Sequence, residues 1–235
     1  MMKKITLLLF SLFVSSVCLF AAEDQHHQAA PKARGIETEK PTNMGSEVDV
    51  YVEYDVVKNV TLFLGEEFYL SNFLTPNAPL FDASYTSVGV NYKPHPRVSL
   101  LGAYEFQYLA GDEMRHRLKL MVTPNVKFGD FTLSLRERFQ MTYSMADQSY
   151  DWLLRSRLRL DYMIPSTPLG TYIYAEMYNP LEANPACWYD MFGYGAGLDW
   201  VIDDNNILGL FYEFSHSVDS YYHLIGVAYV LGWWK

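Results

Sequence analysis

Along most of the chain, apolar and polar residues alternate one for one. The pattern is clearest in three stretches: Arg115-His116-Arg117-Leu118-Lys119-Leu120, Leu133-Ser134-Leu135-Arg136-Glu137-Arg138-Phe139-Gln140 and Leu154-Arg155-Ser156-Arg157-Leu158-Arg159-Leu160-Asp161. A β-strand puts residues i, i+2 and i+4 on one face. Arg115, Arg117 and Lys119 therefore share a face, as do Arg136, Arg138 and Gln140, and Arg155, Arg157, Arg159 and Asp161. The opposite faces read His116, Leu118, Leu120, Val122; then Phe131, Leu133, Leu135, Phe139, Met141; then Leu154, Leu158, Leu160, Tyr162, Ile164. Each strand has one strongly cationic side and one apolar side.

The same period runs through the rest of the chain from Glu47 onward. Val48, Val50, Val52, Tyr54 and Val56 alternate with Glu47, Asp49, Tyr51, Glu53 and Asp55. Lys58-Asn59 reads as a tight turn. Val60–Ser71 returns with Leu62, Leu64, Phe68 and Leu70 opposite Thr61, Gly65, Glu67 and Tyr69, and Glu66 interrupts its apolar face. Further strands are expected at Ala83–Lys93, Val98–Tyr108, Met114–Lys127, Phe131–Tyr143, Asp151–Ile164, Leu169–Asn179, Met191–Ile202, Ile207–His216 and Tyr221–Trp234. Proline, glycine and Asx residues at Pro94-His95-Pro96, Gly129-Asp130, Pro165–Gly170 and Asp203–Asn206 supply the breaks. Asn72–Asp82 and Pro180–Asp190 read as longer loops.

A water-soluble sheet would turn the apolar face inward, but no helical pattern is available to cover it. The segments are also long, against a usual soluble length of about five or six residues. A transmembrane barrel inverts the arrangement, with apolar residues toward lipid and polar residues toward the lumen. Its strands need about 9–11 residues to cross. The expected fold is all-β, a transmembrane antiparallel up-and-down β-barrel of 10–12 strands over residues 47–235. The pattern yields eleven segments, whereas single-chain bacterial barrels have an even number. One segment could lie outside the wall, residues 23–46 could hide a twelfth, or that arm could thread the lumen so that Glu47 starts at the outer end.

Composition agrees with a membrane barrel. Half of the 235 residues are hydrophobic and 16% are aromatic, yet mean hydropathy is only −0.06, as alternation demands. Met1–Ala22 reads as a secretory signal peptide, with Lys3 and Lys4 before an apolar Leu7–Phe20 and small residues Ala21 and Ala22 at the cut. Cys18 would suit a lipoprotein only if Val17 before it were small. Removing the signal takes the net charge from −9 to −11, since two lysines and no acid leave with it. A nucleic-acid partner is excluded on electrostatic grounds. The mature chain keeps one cysteine, Cys187, so it has no internal disulfide. Residues 23–46 are polar, with Pro31, Gly35, Pro41 and Gly45, and read as a flexible arm whose His26-His27 pair is solvated.

Several pieces between Val88 and Tyr229 carry a resemblance. They are Gly89-Val-Asn-Tyr-Lys93, Gly102-Ala-Tyr-Glu105, Arg115-His-Arg-Leu118, Leu135-Arg-Glu-Arg-Phe-Gln140, Leu154-Arg-Ser-Arg-Leu-Arg-Leu160, Tyr174-Ala-Glu176 and Gly226-Val-Ala-Tyr229. Together they resemble a family of uncharacterised Gram-negative outer-membrane β-barrel proteins, a domain of unknown function with repeated Arg-x-Arg strands. The resemblance implies an outer-membrane barrel and brings no activity with it.

The inner face gathers Arg115, Arg117, Lys119, Arg136, Arg138, Arg155, Arg157 and Arg159, together with Glu53, Asp55, Glu67, Glu105, Asp161, Glu176, Asp199 and Glu213. Guanidinium and carboxylate groups form bidentate charge-assisted pairs. The leading reading is a structural barrel with a salt-bridged lumen, in which Arg138 and Arg157 pair with Glu105, Glu176 or Asp199. The alternative is a narrow anion-preferring channel or a binder of anionic ligands. An outer-membrane hydrolase is the third class, with Ser215, Ser217, His216 and His223 as candidates, although His216 and Ser217 point to opposite faces of a strand. No metal-ligand spacing, phosphate loop or nucleotide fingerprint calls for a cofactor. Expected partners are outer-membrane lipid and lipopolysaccharide, the barrel-assembly machinery and small anionic solutes.

Overall fold

The computed structural model describes residues 40, 42–70, 81–181, 189–217 and 220–233. The signal peptide, most of the polar arm, Cys187, Trp188 and Trp234 lie outside the described residues. The described residues of Lys40–Lys235 form eleven strands. These are β1 Thr42–Val57, β2 Val60–Leu70, β3 Phe81–His95, β4 Val98–Leu109, β5 Glu113–Phe128, β6 Phe131–Ser144, β7 Ser149–Met163, β8 Leu169–Pro180, β9 Met191–Val201, β10 Asn206–Ser217 and β11 Tyr221–Trp233. Each strand pairs with its neighbours in sequence, and β1 pairs with β11 to close the barrel. No helix among the described residues is long and apolar enough to cross a membrane.

Eleven wall strands account for the awkward count. A meander reverses direction at each hairpin, so an odd number brings the first and last strands together in parallel. That is what β1 and β11 do, from Thr42 opposite Tyr221 to Tyr54 opposite Trp233, while every other pair is antiparallel. Residues 42–46, assigned to the arm from their composition, are the first turn-free part of β1. They are drawn into the wall by this pairing, since Gly45 and Ser46 lie opposite Leu224 and Ile225.

The two ends of the barrel differ. At one end the connections are tight: Lys58-Asn59, with Asn59 at φ 69°, Pro96-Arg97, Gly129-Asp130, with Gly129 at φ 63°, and the turns after β7 and β9. At the other end lie the longer connections 71–80 and 181–190. Both β1 and β11 begin at this loop end.

Side chains sort as the alternation demands. Leu120 and Ile173 are 62% and 59% exposed, and Val48, Leu64, Val88, Leu118, Leu210 and Ile225 also point outward. Glu105, Gln107, Glu176 and Ser215 are almost fully buried. The interior of this protein is therefore its polar part, as expected of a barrel in lipid. Aromatic residues ring the outer wall near both ends. Phe128, Phe131 and Tyr162 stack at the turn end, with centroids 5.8 and 4.6 Å apart. Tyr143 and Tyr150, 4.9 Å apart, and Phe139 with Trp152, 5.5 Å apart, lie toward the loop end. Such amphipathic rings suit the lipid–water boundary.

Two carboxylates break the apolar face. Glu66 accepts hydrogen bonds from Ser84 and Thr86 on β3. Glu137 accepts one of 2.6 Å from Ser156 on β7. Glu137 borders a depression of about 580 Å³ on the wall, lined by Val90, Leu100, Gly102, Leu120 and Phe139 among others.

Leu135 stands on the outer face opposite Leu158, and Ser134 on the inner face opposite Arg159. Leu135→Arg should lower barrel stability by about 2–4 kcal/mol, the cost of a cation facing midplane lipid, whereas Ser134→Arg should be tolerated far better. Heat-modifiable gel mobility and urea unfolding of the two variants in lipid check the assignment, and equal tolerance would refute it.

Candidate functional site

The three Arg-bearing strands β5, β6 and β7 are neighbours, so their charged faces meet. Arg136 lies directly opposite Arg157, and Arg138 directly opposite Arg155. Like charges across a strand pair repel. Relief comes from the next strand, where Glu176 of β8 lies opposite Arg157. Its carboxylate, 1% exposed, accepts hydrogen bonds from Arg136 at 2.8 Å, Arg155 at 2.7 Å and Arg157 at 2.6 Å.

Glu105 of β4 plays the same part on the other flank. It is fully buried and accepts from Arg117 Nη1 at 3.0 Å, from Lys119 Nζ and from Gln107 Nε2 at 2.7 Å. Nearer the barrel ends, Arg115 pairs with Glu113 at 2.6 Å, and Arg159 pairs with Asp161 at 2.7 Å and Asp199 at 3.6 Å. Glu213 lies 4.0 Å from Arg157.

Three tyrosines of β8 hold the guanidiniums of β7 by their faces. Arg155 sits 4.1 Å above the Tyr178 ring, Arg157 3.9 Å above Tyr174 and Arg159 3.6 Å above Tyr172. A cation over an aromatic face in a desolvated setting is worth about 2 kcal/mol. The rings can lie flat against the wall because β9 offers glycine beneath them. A Cβ at Gly195 would overlap Tyr174, and one at Gly197 would overlap Tyr172.

Pairing does not use up the cations. Arg138 donates to the sulfur of Met121 at 3.2 Å, and among the described residues no carboxylate lies within ion-pair distance of it. This differs from the expected Arg138–carboxylate pair, because Glu176 is already saturated by three other arginines. The Nε atoms of Arg136, Arg155 and Arg157 are buried without a hydrogen-bond acceptor. At mid-lumen Arg117, Lys119, Arg136, Arg138, Arg155 and Arg157 face three paired acids, Glu105, Glu176 and the more distant Glu213, which leaves three formal positive charges.

The opposite wall is acidic. Glu47 and Asp49 of β1 are 7% and 9% exposed. Asp49 lies directly opposite Glu67 of β2. Glu67 accepts from Tyr51 at 2.5 Å and from Tyr69 at 3.2 Å, while Oδ1 of Asp49 has no partner. Among the described residues these three acids make no ion pair. In the β1–β11 ladder Glu47 lies beside Gly226, over which the Phe211 ring packs, and Asp49 beside Ala228. Between the walls lies a luminal cavity of about 210 Å³ whose lining includes Glu53, Glu67, Lys119, Arg136 and Arg138.

Ser215 is 1% exposed and donates to Glu213 at 2.7 Å; Tyr174 also donates to Glu213. His223 lies on the outer wall with Tyr212 at 2.7 Å, and His216 stacks on Phe192 at 5.8 Å. The serine and the histidines are therefore on opposite sides of the wall. Among the described residues no three His, Cys, Asp or Glu side chains are grouped to hold a metal. The acidic wall was readable from the parity of Glu47, Asp49 and Glu67. Its position facing the cations was not, because that depends on the strand count.

Residues 48–219 match the family described as protein of unknown function (DUF2490). The chain belongs to this family. Among curated proteins none matches it. Solved structures give the barrel its likenesses. A bacterial polysaccharide outer membrane secretin aligns with TM-score 0.50 and 11% identity, over 76% of this chain and 64% of that one. This chain thus spans just under two thirds of the secretin's length. The NanC porin aligns with TM-score 0.49 and 13% identity over 73% and 81% of the two chains. The KdgM porin in complex with disordered oligogalacturonate aligns with TM-score 0.46 and 15% identity over 75% and 87%. At such identities the likeness is one of fold alone.

Glu176 of β8 gathers three guanidiniums of β6 and β7 onto one carboxylate. Glu176→Gln should leave three buried guanidiniums facing each other and destabilise the barrel by roughly 3–5 kcal/mol. Urea unfolding in lipid vesicles, followed by tryptophan fluorescence, measures the loss.

Proposed function

We propose that this DUF2490 protein is a narrow solute-passing barrel of the Gram-negative outer membrane whose lumen recognises small anionic groups. The observation that carries the reading is the cationic excess at mid-lumen, and Arg138 above all. A purely structural network would neutralise its guanidiniums internally. Here Arg138 meets a methionine sulfur, and three Arg Nε atoms have no acceptor. Arg136 and Arg138 line the luminal cavity, where an entering carboxylate, sulfonate or phosphate would meet their guanidiniums.

Residues 1–22 would direct export and be removed, after which the barrel-assembly machinery would insert the chain among outer-membrane lipid and lipopolysaccharide. Short turns lie on the periplasmic side and longer loops outside in such barrels, so the connections 71–80 and 181–190 would face the exterior. A second reading has an observation of its own. Glu105, Gln107 and Glu176 are 0–1% exposed and narrow the lumen where they meet their partners, which suits a sealed structural barrel. A hydrolase draws no support from Ser215, whose hydroxyl is engaged by Glu213 while the histidines lie outside.

Planar-bilayer recording on purified protein separates the first two readings. Wild type should conduct, with a reversal potential in a KCl gradient on the chloride side. Arg138→Ala should remain heat-modifiable and lower the chloride-to-potassium permeability ratio by about fivefold, which corresponds to about 1 kcal/mol, one charge acting at 4 Å in water. A destabilised Arg138→Ala barrel, with no conductance in wild type, would favour the structural reading.

A further inference from the structure

The cationic excess has a counterpart that plain anion recognition does not use. The same cavity that exposes Lys119, Arg136 and Arg138 on β5 and β6 is bounded by Glu53 and Glu67 on β1 and β2. Neither side neutralises the other by contact. Lys119 and Arg138 attract Glu67 only through space, and no ion pair among the described residues crosses the lumen from Glu47, Asp49 or Glu67. In the circular strand order β1 lies five strands from β6, which is the far side of an eleven-strand ring.

The field across the gap therefore runs from the β5–β7 wall to the β1–β2 wall. A simple anion drawn to Arg138 is repelled by Glu67, and a simple cation meets the reverse. A solute carrying both charges, oriented across the lumen, is attracted by both walls at once. Between charged walls of low dielectric such fields are focused. The volume, about 210 Å³, lies below the 300–1,000 Å³ of pockets that take drug-sized ligands. Thr61, Ser87 and Asn91 also line it and supply uncharged hydrogen-bonding groups along its length.

We infer that the luminal cavity between Arg138 and Glu67 is a selectivity site for small zwitterions, with the anionic group of the solute on Arg138, Arg136 and Lys119 and its cationic group on Glu67 and Glu53. The inference rests on the solute-passing reading and names its substrate class.

Uptake into vesicles holding the purified full chain tests it, with three labelled probes of matched length: 4-aminobutyrate, butyrate and butylammonium. Protein-free vesicles give the rate of leakage through lipid. The zwitterion is expected to enter at least tenfold faster than either singly charged probe. Glu67→Gln should abolish that advantage, and Glu53→Gln provides the same test if the first variant fails to become heat-modifiable. Butyrate entering as fast as 4-aminobutyrate, in vesicles whose KCl reversal potential is chloride-selective, would overturn the zwitterion site and leave the anion-recognising channel standing. A zwitterion advantage unchanged in both acid variants would likewise overturn it. Protein that passes no ion and none of the three probes would overturn the solute-passing reading and this inference together.

Discussion

Inside a bilayer every backbone N–H and C=O must find its partner within the protein, and a sheet meets that demand only by closing on itself. The rest of this structure follows from that closure. Eleven strands of 11–16 residues leave one face of every strand to lipid and confine the other to a narrow interior. Charged side chains have nowhere to go but inward. Arg136, Arg138, Arg155 and Arg157 thus crowd one side of the lumen, although their mutual repulsion would scatter them on an open sheet.

What holds them is a division of labour between two kinds of contact. Glu176 and Glu105 bind cations end-on through hydrogen bonds. Tyr172, Tyr174 and Tyr178 bind them face-on through the ring quadrupole. The second kind demands flat, close-lying rings, and the Gly195 and Gly197 positions of β9 provide the space. A stripe of glycines that looks like weak strand sequence is therefore part of the electrostatic machinery two strands away.

Much of the fold was legible in the sequence. Alternation located all eleven strands, and it placed Leu135 outside and Arg138 inside without any knowledge of neighbours. What alternation could not give is register. Glu66 looks like a flaw in an apolar face, yet its hydroxyl partners Ser84 and Thr86 stand on the next strand, 18 and 20 residues away. Glu137 and Ser156 are the same device, 19 residues apart. Partner choice in the lumen was still harder to read. It depends on which acid reaches which guanidinium first, and Glu176, serving Arg136, Arg155 and Arg157, leaves none of its capacity for Arg138. The β1 start was misjudged because Thr42–Ser46 have a loop-like composition and pair along their whole length only with β11, far along the chain.

The parallel seam between β1 and β11 has a kinetic side. Every other ladder joins segments adjacent in sequence, and each can form as soon as its hairpin exists. The seam alone needs both extremities of the barrel sequence, and parallel pairing is slightly weaker per residue than antiparallel. The first strand synthesised must therefore wait with one edge bare until the last is in place. A bare edge invites pairing with another chain, and inward-pointing charge is one of the ways proteins discourage it. Glu47, Asp49, Glu53 and Asp55 space four carboxylates along one face of β1. A second copy of the same strand laid alongside in register would bring like charges together at these four positions, whereas β11 offers Gly226, Ala228 and Gly232 beside Glu47, Asp49 and Glu53. The acids that shape the lumen of the finished barrel thus also make its unfinished edge a poor partner for anything but its own C-terminal strand.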